Sequence, residues 1–285
     1  MIGQKELISR IESQIKNNTL SRFTIFIGQE GSGKRTLMRY LSNKHWTIVD
    51  ELPDVKVETI RTMIENAYRV SLPTAYIIPN AQNMSVQAKN ALLKVVEEPP
   101  QKSVFFMSAV AREELLPTIT SRGSIFYMRP YSQAERQEYL DSAGTRLDEQ
   151  ELEIIMKVCS NISEIEKLLK SKPIAFKNYV IDLITHLDSK SAPVVFSYHR
   201  MIAFNSDDKS KNKYDLYLLW KQCCIEWKEM LEDTDNNEFK KLYADLISET
   251  TQRMSDIRTS SINRSNTFDM WILNCRKILK EWKEM

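Results

Sequence analysis

The chain has 285 residues, 42% of them hydrophobic and 27% charged, which is the composition of a soluble globular protein with room for two or three domains. A formal charge of +2 and a pI near 8.2 leave no general footprint for nucleic acid, so any such contact must be local or shared with partner chains. Cysteines at 159, 223, 224 and 275, without C-x-x-C spacing or a histidine cluster, exclude a zinc ribbon and a disulfide framework, and no leader-like or membrane-length apolar run occurs, so the expectation is a cytoplasmic protein with reduced thiols.

Up to about residue 130 the apolar pattern alternates strand and helix, the mark of a βαβ domain with a parallel sheet. A helix is predicted over Lys5 to Lys16, then a strand over Thr24 to Ile27 that runs into Gly28-Gln29-Glu30-Gly31-Ser32-Gly33-Lys34-Arg35-Thr36 and a helix from Lys34 to Ser42. This strand, glycine turn and helix form a phosphate-binding loop, and the loop holds three of the six glycines in the chain. Gly28, Gly31, Ser32, Gly33, Lys34, Arg35 and Thr36 are the candidate nucleotide-binding residues. Lys34 is placed to reach the phosphates of ATP or ADP. The hydroxyl that ligates Mg²⁺ is replaced by Arg35, and Thr36, one residue on, is turned about 100° around the helix. The loop can therefore hold a nucleotide without its usual metal ligand, or serve as a tight strand-to-helix turn that binds nothing.

Further strands are predicted at Trp46 to Val49, Ala75 to Ile78, Val104 to Ser108 and Ser124 to Met128, with helices at Val57 to Tyr68 and Ser85 to Glu97, the last stopped by Pro99-Pro100. From Tyr131 the strand pattern ends. Ser132-Gln-Ala-Glu reads as a capping box, followed by helices at Ala134 to Ala143, Asp148 to Cys159 and Ser163 to Ser171. Neither glycine nor proline follows Pro193, so the rest should be almost wholly helical, over Tyr214 to Leu231, Phe239 to Met254 and Thr267 to Trp282, with a solvated linker at 206–213. Four of the five tryptophans lie in this tail, as its own core or as a surface for like domains. The expected division is an α/β domain over 1–130, a helical lid over 131–190 and a helical collar or oligomerisation domain over 191–285.

Asn90-Ala-Leu-Leu-Lys-Val-Val-Glu-Glu-Pro-Pro100, followed by Leu115-Leu-Pro-Thr-Ile-Thr-Ser-Arg122, resembles the clamp-loader branch of the AAA+ ATPases, over about the first 170 residues. Within that branch the pattern is most similar to the delta-prime type. The resemblance implies an α/β AAA+ P-loop module with a parallel sheet, then a small helical lid and an all-α C-terminal collar. Departures from the family pattern carry the functional argument. The Asp-Glu pair that ends the third strand in active members falls on Pro79-Asn80, and neither residue can act as a base. The sensor threonine falls on Ala109, and the lid arginine is missing from the stretch around Glu164.

Arg122 matches the family's arginine finger, which reaches the ATP of a neighbouring subunit, with Gly123 in place of the usual cysteine. The bland alternative is a surface arginine at a helix end. The family's zinc module is not expected, because only Asn43 to Val57 separates the loop helix from the next. The resemblance implies a hetero-oligomeric role in DNA replication, without ATPase activity of its own. Its partners would be gamma/tau-like motor subunits, a clamp-opening delta-like subunit, the sliding clamp and primer-template DNA, the last touched near Ser85 to Lys94. The rival readings are an ATP-hydrolysing motor subunit and a stand-alone nucleotide-sensing interaction protein.

Overall fold

A computed structural model describes residues 2–188, 191, 195–204, 214–257 and 262–284. The chain forms two compact units, Met1–Gly144 and Thr145–Met285. In the first, five parallel strands lie in the order β2-β3-β4-β1-β5: β1 Phe23–Ile27, β2 Ile48–Glu51, β3 Thr74–Ile78, β4 Ser103–Ala109 and β5 Ser124–Tyr127. Every residue of β1, β3 and β4 is buried, as expected of central strands covered on both faces.

Alternate residues of β1 feed two cores. Phe23, Ile25 and Ile27 pack with α3 (Val57–Arg69), α4 (Val86–Ala91), α5 (Leu93–Glu97) and α6 (Pro117–Thr120). Phe26 packs on the other face with α1 (Lys5–Lys16) and α2 (Lys34–His45). The consequence for function is positional. All five strands point the same way, so the ends of β1, β3 and β4 converge beside the start of α2.

The α/β sheet and the helical remainder agree with the sequence reading, and several details differ. β2 begins at Ile48 and not Trp46, because pairing with Thr74 of β3 fixes its register while the Thr47 and Ile48 amides both donate to the Pro73 carbonyl. The helix expected from Ser85 to Glu97 is interrupted at Leu92, whose side chain is fully buried and whose carbonyl accepts from both Val95 and Val96. Strands also do not end at residue 131: β6 (Ile202–Ala203) pairs in parallel with β7 (Tyr214–Asp215).

The capping box before α7 (Gln133–Ser142) is present, with the Glu135 amide donating to Ser132 Oγ at 3.2 Å and the Ser132 amide donating to Glu135 Oε2 at 2.9 Å. The second unit contains α8 (Glu149–Val158), α9 (Ile162–Lys170), α10 (Pro173–His186), α11 (Leu216–Asp233), α12 (Asn237–Asp256) and α13 (Arg264–Lys283). Sequence periodicity missed α10, whose proline stands at the first helical position where no amide is needed. Trp220, Trp227 and Trp271 are buried in this unit's own core, with Trp271 Nε1 donating to Thr250 Oγ1 at 2.8 Å. The proposed linker at 206–213 lies outside the described residues. No described helix is long and apolar enough to cross a membrane.

Candidate functional site

The loop between β1 and α2 has the backbone of an anion seat. Gly31 and Gly33 have φ of 76° and 86°, the left-handed region, and Gly33 is the N-cap of α2 with no side chain satisfying the helix's first amides. A Cβ on Gly33 would lie 2.4 Å from the Tyr131 hydroxyl, and one on Gly28 would lie 2.8 Å from the Met128 carbonyl. Ser32 Oγ is buried with no hydrogen-bond partner. These free donors and the close glycine packing fit a phosphate group.

Lys34 is 8% exposed and donates to the carbonyls of Gly28 at 2.5 Å and Gln29 at 2.8 Å. Burial pushes its pKa down, against the nearby carboxylates of Glu30 and Glu114. Thr36 is exposed, and Arg35 turns to β2, where its Nε and that of Arg39 both pair with the Glu51 carboxylate. Burial works to raise the Glu51 pKa, but the hydrogen bonds from Arg39 and Arg35 outweigh it and hold the carboxyl below its ordinary range. The residues at 35 and 36 therefore do not fit the usual Mg²⁺ ligand. Among the described residues, no group of three His, Cys, Asp or Glu is placed to hold a metal.

At the end of β3, Asn80 has φ 53°, a conformation that asparagine tolerates better than most residues, and its amide donates to Ser108 Oγ at 3.1 Å. The hydroxyl next to Ala109 is thus buried and already engaged. Glu164, in the stretch where a lid arginine was expected, accepts from Lys221 Nζ and the Ser160 amide, each at 2.7 Å. It joins α9 to α11.

Arg122 follows α6 on the surface, with Nη1 3.3 Å from the Thr118 carbonyl and Nη2 3.2 Å from Glu97 Oε1. Gly123 is more than a neutral replacement, since a Cβ there would lie 2.6 Å from Ile25 Cδ1 of β1. The structure places Gly28 to Thr36 together around the start of α2, and Arg122 separately at the exposed end of α6.

Residues 45–132 match the family model described as "DNA polymerase III, delta subunit". The DNA polymerase III subunit gamma of Buchnera aphidicola subsp. Schizaphis graminum is 26% identical over 219 residues, 62% of this chain and 60% of that protein. The subunit delta' of the same organism is 27% identical over 151 residues, 50% of this chain and 42% of that protein. This chain is thus similar to the gamma, tau and delta' subunits of DNA polymerase III. A gamma subunit-related protein of DNA polymerase III from Thermotoga maritima shares the fold, with TM-score 0.56 at 17% identity over 95% of this chain and 98% of that one. The clamp-loader-family match spans less than two thirds of those two Buchnera subunits.

Sequence reasoning missed three participants. Glu51 and Glu97 are acidic partners of arginines it had singled out, and Tyr131 lies against both Gly3 and Gly33. Glu97 sits inside a motif already in view, but nothing in its spacing from Arg122 marks the pair.

Proposed function

We propose that the chain is a non-hydrolysing, delta-prime-like subunit of a sliding-clamp loader in DNA replication, and that it gives Arg122 to the ATP site of a neighbouring motor subunit. The carrying observation is the end of β3. Pro79 and Asn80 stand where phosphoryl transfer needs carboxylates, and the Asn80 amide is tied to Ser108. Four groups that would position metal, water and γ-phosphate are replaced, and each such loss costs on the order of 10²- to 10³-fold in rate. Phosphate binding is a separate property. Lys34, Ser32 and the α2 amides would hold ATP or ADP by charge and hydrogen bonds, with no metal required of Arg35.

The division into α/β module (1–130), lid (131–190) and collar (191–285) belongs to this reading, as do gamma/tau-like, delta-like, clamp and primer-template DNA partners in a cytoplasmic hetero-oligomer. The gamma and tau relatives favour a second reading, an ATP-hydrolysing motor. Purified chain alone decides between them: the proposal expects no turnover, and turnover abolished by Lys34→Ala would establish the motor.

A further inference from the structure

Arg122 is already seated on an anion of its own subunit. Glu97 closes α5, and its carboxylate lies 3.2 Å from the Arg122 guanidinium, with the two side chains 50% and 45% exposed. The pair joins two fixed bodies, because Val95 and Val96 of α5 and Ile119 of α6 are buried in one core. The lysines nearest to Glu97 on the same stretch are turned elsewhere. Lys94 Nζ lies 4.9 Å over the Tyr68 ring, and Lys89 donates to the Glu114 carbonyl at 2.6 Å. Arg122 also keeps its bond to the Thr118 carbonyl, so the guanidinium is held at two points on one subunit.

We propose that Glu97 is a latch for Arg122: a stand-in anion that parks the guanidinium until a phosphate of the neighbouring subunit's nucleotide displaces it. The inference rests on the reading of Arg122 as a finger acting in trans. An exposed carboxylate–guanidinium pair biases a side chain by no more than about fivefold. A nucleotide's terminal phosphate carries more charge and, in a closed interface, is less screened by water, so it displaces a single carboxylate. A complete interface therefore releases the arginine, while a loosely apposed one leaves it parked. No bond is made or broken in the switch. Glu97 is a positioning residue and touches no reacting atom.

The test is the ATPase rate of the full-length chain reconstituted with ATP-hydrolysing gamma-type subunits, without clamp or DNA, for wild type, Glu97→Gln, Arg122→Ala and the double variant. Glu97→Gln is expected to raise that rate about two- to fivefold, and the gain is expected to shrink between low and high salt as the parked pair weakens. The double variant should match Arg122→Ala, and Glu98→Gln should match wild type. A Glu97→Gln rate at or below wild type overturns the latch while loss of rate in Arg122→Ala upholds the finger. Wild-type rate in Arg122→Ala overturns the finger and the latch with it. A gain from Glu97→Gln that persists without Arg122 also overturns the latch, since it would come from α5 and not from the pair.

Discussion

The phosphate loop and the arginine at 122 lie in the same compact unit, yet Lys34 and Arg122 are held in opposite ways. Lys34 is almost completely buried and bound to two carbonyls of its own loop, whereas its neighbour Arg35 is exposed and paired, with Arg39, to Glu51. Arg122 is half exposed and held by one 3.2 Å ion pair and one long hydrogen bond. A buried cation needs its partners, because an unpaired charge in a low-dielectric interior is costly. A surface cation in a weak pair can change partners at little cost. The difference separates a seat that serves this chain's own architecture from a side chain available to another.

Four experiments would break or sharpen that contrast. The largest effect is expected from Arg122→Ala in the reconstituted loader: ATPase falls by about 10³-fold or more while assembly and thermal unfolding stay unchanged. Next is Gly33→Ala, which should lower the stability of the first unit by about 3 kcal/mol in denaturant unfolding, from a left-handed backbone and the overlap with Tyr131.

Lys34→Ala should weaken binding of a fluorescent ADP analogue at least about tenfold, through loss of a charged hydrogen-bond donor. Because burial depresses the Lys34 pKa, wild-type affinity should fall as pH rises through that lowered value, earlier than an ordinary lysine would require. Affinity unchanged in the variant would show that the loop is only a turn.

The smallest effect is expected at Glu135, whose hydrogen bonds from Arg129, acting against a burial penalty, bring its carboxyl to about 2 from an ordinary 4.5. A carboxyl depressed in the folded state stabilises fully above its unfolded value and loses that contribution as pH falls toward the folded one. Glu135→Gln should therefore cost about 1 kcal/mol at pH 7, discounted for the exposed Arg129, and flatten the acid dependence between pH 4.5 and 2. Acid titration of thermal unfolding measures both.

Much of the fold was legible because its signals are local. Apolar runs at 24–27, 75–78 and 104–108 mark central strands, each lengthened by one or two residues in the structure, Ser132 with Glu135 marks a helix start, and Gly31 and Gly33 mark a backbone that side chains rarely adopt. The interruption at Leu92 was not legible, because it depends on how far one leucine sinks into the shared core. Nor was the parallel pairing of 202–203 with 214–215, since two residues are too few for a period. The helix that opens at Pro173 was legible and missed: Asn178, Asp182 and Thr185 form an exposed face opposite the buried Phe176, Val180 and Leu183.

By itself the sequence determined the α/β class and the glycine turn from Gly28 to Thr36, which follow from residue types and near-neighbour spacing that backbone sterics and helix or strand periodicity turn directly into structure. The reading of Pro79-Asn80 as lost carboxylates and of Arg122 as a finger came from the family resemblance. The tertiary structure alone decided which acid each cation meets: Glu51 for Arg35 and Arg39, Glu97 for Arg122, and Glu164 for Lys221. It also set Tyr131 against Gly33. Electrostatic and packing partners are fixed by which strand and helix ends the sheet order brings side by side, and that order is a property of the whole fold.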